Sequence, residues 1–280
     1  MNAPDSARTR MLVMRKRLRD KDARDPKTVQ KGAPMSDLLV GQTLGFDGDP
    51  FFTGPQAARH DSRGGVLVAD GRITAVGTAD DLRRAHPDAR VHDYGTALIS
   101  AGFVDAHVHY PQTAIIASWG KRLIDWLNTY TFPEEMRFAD PAFARATAET
   151  CLDLMLAHGT TTMCSYATIH PESVDAVFAA AQARGMRALA GKTCMDRNAP
   201  EGLRDSAQSA HDASAALIAR WHGLDRLSYV ITPRFAPTST PEQMRLAGRL
   251  FAEHPGVYLQ SHVAENRAEA DWVARLYPEA

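Results

Sequence analysis

Cysteine is scarce: Cys151, Cys164 and Cys194 are the only three in 280 residues, and none stand in a C-x-x-C spacing. That excludes a disulfide framework and a thiolate zinc knuckle, and leaves buried thiols in a reducing compartment as the expectation. Long apolar runs are also missing. Nothing approaches the roughly 18 residues of a membrane-crossing helix, and the Met11–Met14 cluster is too short for a signal-peptide core. No G-x-G-x-x-G turn or Walker-type glycine loop occurs, which counts against a doubly wound nucleotide-binding sheet. An excess of one charge is absent, with a formal net charge of -1. The whole molecule therefore has no reason to seek nucleic acid. A cytoplasmic protein with neither a membrane nor a nucleic-acid partner is expected.

What is present suits a folded chain, with 44% hydrophobic and 23% charged residues. The charge is uneven: residues 1–34 hold ten Lys/Arg against four Asp/Glu, a net of +6. This stretch reads as a disordered basic extension, too rich in aspartate for a transit peptide, with Met35 as an alternative start. Residues 35–95 read as the N-terminal part of a small β-rich domain, a β-sandwich element. There Val66–Ala69 and Ile73–Val76 flank the turn pair Asp70-Gly71.

From residue 96 to 280 the pattern becomes strand–helix alternation. Strands are expected at Phe103–His109, Thr160–Ala167, Arg187–Met195, Ser228–Thr232 and Val257–His262. Helices are expected to open at Asp140-Pro141, Pro171, Asp205, Thr240-Pro241 and Glu265. Alternation of this kind gives parallel strands with crossover helices. Without a nucleotide loop, the α/β class narrows to an incomplete (β/α)8 TIM-type barrel of about five βα units.

Three clusters at predicted strand ends carry chemistry. His107 and His109 are two residues apart, so on a strand both point to one face, where both imidazoles can reach a single ion. Asp105 shares that face one layer lower. An isolated H-x-H also arises by chance on surface strands, but this one ends the first barrel strand, where such folds place their sites. The run Gln260–Asn266 offers His262 as a third ligand and Glu265 as a group reaching in from the next loop; the plainer alternative is a core histidine and a helix-start glutamate. Pro233–Pro237 holds Arg234 and Phe235, a multi-donor fork and a stacking face between prolines. Its plainer alternative is a solvated arginine beside a core phenylalanine.

Gly102–His109 resembles the first-strand signature of the amidohydrolase superfamily, and within it the chain resembles the guanine deaminase family. Trp126–Pro133, His158–Thr162, Gly191–Asp196, Thr232–Phe235 and Gln260–Asn266 carry the likeness, which runs from about Met35 to the C-terminus. It implies one Zn(2+) per subunit held by His107, His109 and His262. It implies catalytic roles for Glu265, as proton shuttle, and for His262. It places guanine, the small-molecule substrate, against His109, Gln112, Arg234, Phe235, His262 and Glu265. It implies hydrolytic deamination of guanine to xanthine and ammonia in purine catabolism, by a homodimer. The H-x-E and P-C-x-x-C signature of thiolate-zinc base deaminases does not occur.

Two elements of the family pattern have no counterpart: a histidine after the sixth strand and a metal-binding, general-base aspartate after the eighth. The chain is therefore expected to be a fragment, marginally stable and with negligible activity alone. A deaminase of another heterocycle and a non-catalytic truncated product remain the alternatives.

Overall fold

The structure is a computed structural model, and it describes residues 36–120 and 123–278, with Leu123 and Ile124 described by backbone alone. The basic extension and Met35 lie outside the described residues. The chain divides into two compact units between Ala101 and Gly102.

The first unit contains β1 (Asp37–Phe46), β2 (Ala58–Ala69), β3 (Arg72–Thr78) and β4 (Arg90–Ser100), joined as a four-stranded sheet in the order β3-β2-β1-β4. The predicted hairpin is there. β2 pairs antiparallel with β3, and both turn residues take positive φ, 52° at Asp70 and 71° at Gly71. Two left-handed residues match the turn to the twist of the strands, and Asp-Gly satisfies that demand. Helix α1 (Ala79–Ala85) is capped by Thr78, and Leu38, Val40, Leu67, Ala79, Leu82 and Ala89 form a small core. β4 runs to Ser100, past the border at residue 95 expected from the sequence. It passes that point through Gly95 at φ 61°, a conformation open to glycine.

In chain order the second unit comprises β5 (Phe103–His109); α2, made of Leu123–Trp126, a π turn Leu127–Thr131 and Phe132–Met136; α3 (Pro141–Ala157); β6 (Thr160–Tyr166); α4 (Pro171–Arg184); β7 (Arg187–Gly191); β8 (Thr193–Cys194); α5 (Ala207–Trp221); β9 (Leu227–Pro233); α6 (Pro241–Glu253); β10 (Tyr258–Leu259); and α7 (Arg267–Leu276). Its strands form a parallel sheet in the order β10-β9-β7-β6-β5. The caps follow the sequence signals. Asp140 accepts from the Ala142 N–H at 2.8 Å with Pro141 in the first turn, and Gly185 ends α4 in the left-handed conformation. Every residue of β9 is buried, as a strand covered on both faces should be. The core packs Leu152, Val177, Phe178, Leu217 and Ile218 of the helices against Met163, Ala188, Tyr229 and Ile231 of the strands.

Two expectations change. The single strand over Arg187–Met195 is two, broken at Lys192. Its N–H turns to the Tyr229 hydroxyl at 3.3 Å instead of a ladder carbonyl. The strand through Val257–His262 is regular only at Tyr258–Leu259; beyond it His262 alone regains a bridge, to Phe235. Helix α2 has no clear periodic signal in the sequence. Pro133 has no N–H to offer the Thr129 carbonyl, and the chain passes this point as a π turn.

Candidate metal and base-binding site

Four strand ends of the parallel sheet meet at one place. His107 and His109 end β5, Tyr166 ends β6, Arg234 and Phe235 follow β9, and His262 and Glu265 follow β10. This is the C-terminal edge of the strands, where side chains from separate βα units converge. His107, His109 and His262 each offer one ring nitrogen, all within 4.8 Å of one another, the single such group among the described residues.

Backbone contacts set the orientations. The His262 N–H donates to the Arg234 carbonyl at 3.0 Å, and its Nδ1 lies 2.8 Å from that same oxygen. A carbonyl only accepts, so Nδ1 carries the proton and Nε2 turns a lone pair to the cluster. The two nitrogens His109 Nε2 and His262 Nε2 are 3.0 Å apart. Beneath them the Tyr166 ring stacks on His109 with centroids 4.4 Å apart and planes at 10°. The His109 Nδ1 is buried without a partner. Burial pushes the His109 imidazole well below the ordinary histidine range, helped by the Arg234 charge, and burial lowers His262 as well. Neutral imidazoles at His109 and His262, with a His107 ring nitrogen beside them, suit a divalent ion that takes nitrogen ligands, as zinc does. The donor set fits.

Around this cluster Gln112, Trp126, Leu127, Arg234, Phe235 and Glu265 line one pocket with the three histidines. The sequence-predicted site residues are therefore brought together without exception. Arg234 is not the solvated arginine of the plainer alternative, being 3% exposed and paired with Glu135 at 2.7 Å. Phe235 is buried and meets Trp272 edge-on at 6.3 Å. Glu265 is set by the carboxylate of Glu269, which accepts from the Ala264 and Glu265 N–H groups at 3.0 and 2.8 Å. Ala264 holds a φ of 55° there, and the two bonds offset that strain.

A family model described as the amidohydrolase family matches residues 98–280. The chain belongs to the amidohydrolase family. A model of a bacterial imidazolonepropionase-like composite domain matches residues 64–89 in the first unit. Guanine deaminase of Escherichia coli (strain K12) is 46% identical over 224 residues, 80% of this chain and 51% of that protein. A solved structure of E. coli guanine deaminase superposes with a TM-score of 0.84 at 42% identity, covering 87% of this chain and 57% of that one. Guanine deaminase from C. acetobutylicum, solved with guanine in its active site, gives 0.80 at 26% identity over 88% of this chain and 57% of that one. The chain spans about half the length of the curated relatives it matches. Its partial barrel is the corresponding portion of the amidohydrolase fold.

Several site residues went unmarked in the sequence. Glu135 and Tyr166 belong to amidohydrolase elements whose local sequence is unremarkable, and Glu269 sits in a helix whose start was expected at Glu265. Glu134 and Glu135 are adjacent and alike on paper, yet Glu134 pairs with Arg137 at 2.8 Å and Glu135 faces Arg234. Only the path of α2 distinguishes them.

Proposed function

We propose that this chain carries the metal-gripping and base-reading part of a zinc-dependent guanine deaminase site. The supporting observation is the convergence of His107, His109 and His262 on the pocket that also holds Gln112, Arg234, Phe235 and Glu265. The sequence likeness to guanine deaminases points the same way.

His107, His109 and His262 would hold one zinc ion, a Lewis acid that lowers the pKa of water towards about 7. The overall change is addition of water at C2 of guanine and loss of the exocyclic amine as ammonia, leaving xanthine. Phe235 presents a ring face that fixes the purine plane. Arg234 donates to the purine carbonyl, and Gln112 contacts the same edge. Glu265 delivers a proton to a ring nitrogen as water adds, then passes one to the departing amine. Holding the base in this orientation contributes to the rate alongside the acid–base steps. The aspartate that serves as base in the family has no counterpart in these 280 residues, so the chain alone binds but turns over negligibly. Purine catabolism in the cytoplasm, with a homodimer as the assembly, is the setting we infer.

Metal analysis and equilibrium dialysis test this. After zinc loading and desalting, about one zinc per chain is expected, and His262→Ala should retain less than a tenth of it. Guanine should bind the loaded chain and bind Arg234→Ala at least tenfold more weakly. A chain that takes up zinc but shows no preference for guanine over a triazine or pterin would overturn the substrate assignment.

A further inference from the structure

Glu135 is a charged group that the proposed chemistry leaves without a part. It is 0% exposed, on the Phe132–Met136 piece of α2, and it touches two polar residues of the pocket wall, Arg234 and Gln112. Its Oε2 accepts from Arg234 Nη1 at 2.7 Å, and its Oε1 accepts from Gln112 Nε2 at 3.4 Å. Phe132, on the same turn, lies under the Arg234 guanidinium at 5.4 Å. Arg234 is thus gripped by one element on two sides.

The carboxylate sets the direction of the hydrogen bonds around it. It has acceptors only, while a glutamine amide has a donor end and an acceptor end. With its nitrogen engaged by Glu135, Gln112 keeps its oxygen for the pocket it lines. Arg234 can only donate. The wall therefore presents an acceptor at Gln112 beside a donor at Arg234.

We infer that Glu135 is a positioning residue that fixes this hydrogen-bond polarity, selecting purine edges with N–H beside C=O over edges of the reverse order. The inference rests on the reading of this pocket as a purine site. Guanine carries the favoured order, with N1–H next to the 6-oxo group. In 2,6-diaminopurine a 6-amino donor lies next to an unprotonated N1, the reverse order, on a ring of nearly the same shape. A neutral amide at position 135 can turn either end towards Gln112, which releases Gln112 to turn its nitrogen into the pocket.

Equilibrium dialysis of guanine and 2,6-diaminopurine against the full chain with zinc added tests the inference. Wild type should prefer guanine, and Glu135→Gln should reduce that preference about tenfold, the worth of one directed hydrogen bond. Glu135→Asp, still acceptor-only, should keep most of it. If Glu135→Gln weakens both purines equally with the preference intact, Glu135 merely supports the structure and the inference fails. Should circular dichroism show Glu135→Gln unfolded, Gln112→Leu on the pocket wall carries the test; an unchanged preference there overturns the inference. A wild-type chain that binds neither purine overturns the purine reading and this inference together, whereas guanine binding with an unaltered preference in the variants overturns the inference alone.

Discussion

At the scale of single residues, the pair Glu135–Arg234 is a demanding contact of the second unit, with both side chains almost fully buried. Removing one partner leaves the other charged in a dry site, whereas replacing both with apolar groups removes the desolvation cost as well. Glu135→Ala should therefore lower stability by about 3–5 kcal/mol. The double variant Glu135→Leu/Arg234→Met should recover most of that loss in urea melts while abolishing guanine binding. A double variant no more stable than Glu135→Ala would show that the pair itself stabilises the fold. The neighbouring histidines follow the same logic with an opposite outcome. Burial of His109 and His262 favours the neutral form that a metal ligand needs, and a backbone carbonyl at His262 already fixes its tautomer.

At the scale of elements, the strand ends hold the site only because the intervening helices are cleanly bounded. Asp140 caps α3 through the Ala142 N–H, and its loss in Asp140→Ala should cost about 1 kcal/mol in a thermal or urea melt. The junction of β7 with β9 is far less forgiving. A Cβ on Gly191 would stand 1.6 Å from the Val230 carbonyl oxygen. Gly191→Ala should cost more than about 4 kcal/mol, read as loss of the cooperative unfolding transition. In the first unit, Asp37 accepts from Arg90 Nε and contacts His92 Nε2, each at 2.7 Å, binding β1 to β4. The Arg90 hydrogen bond, with that of His92, holds the Asp37 carboxyl below the usual carboxylate range. Stability from a lowered carboxyl is present above the unfolded value near about 3.9 and is lost as pH falls through the folded one. Asp37→Asn should thus be less stable than wild type at pH 7, with the gap closing below about pH 4 in acid titrations followed by circular dichroism.

At the scale of the whole molecule, the parallel sheet has two edges. Among the described residues β5 pairs with β6 alone, and its Phe103 and Val104 are 64% and 66% exposed; β10, at the far side, exposes Tyr258 and Leu259. Unpaired edge groups beside exposed apolar side chains favour association with another chain. Sedimentation should therefore show concentration-dependent self-association of the purified chain, reduced in Val104→Lys, where a charge is set into the edge. Monomer at all concentrations would mean that the edge is protected. No helix among the described residues is long and apolar enough to cross a membrane.

Periodicity and punctuation in the sequence determined the strand–helix alternation, the Asp70-Gly71 hairpin and most of the helix starts. Period-2 and period-3.6 patterns and capping side chains act over a few residues, so they are readable locally. The H-x-H spacing did the same for one face of the site. Tertiary structure alone decided which distant residues share that site. Glu135 lies 99 positions from Arg234, and His109 lies 153 from His262, and nothing local couples either pair. Tyr166 beneath the histidines, the break at Lys192 and the π turn of α2 likewise arise from packing between elements. A pattern along one strand cannot encode what another strand brings to its end.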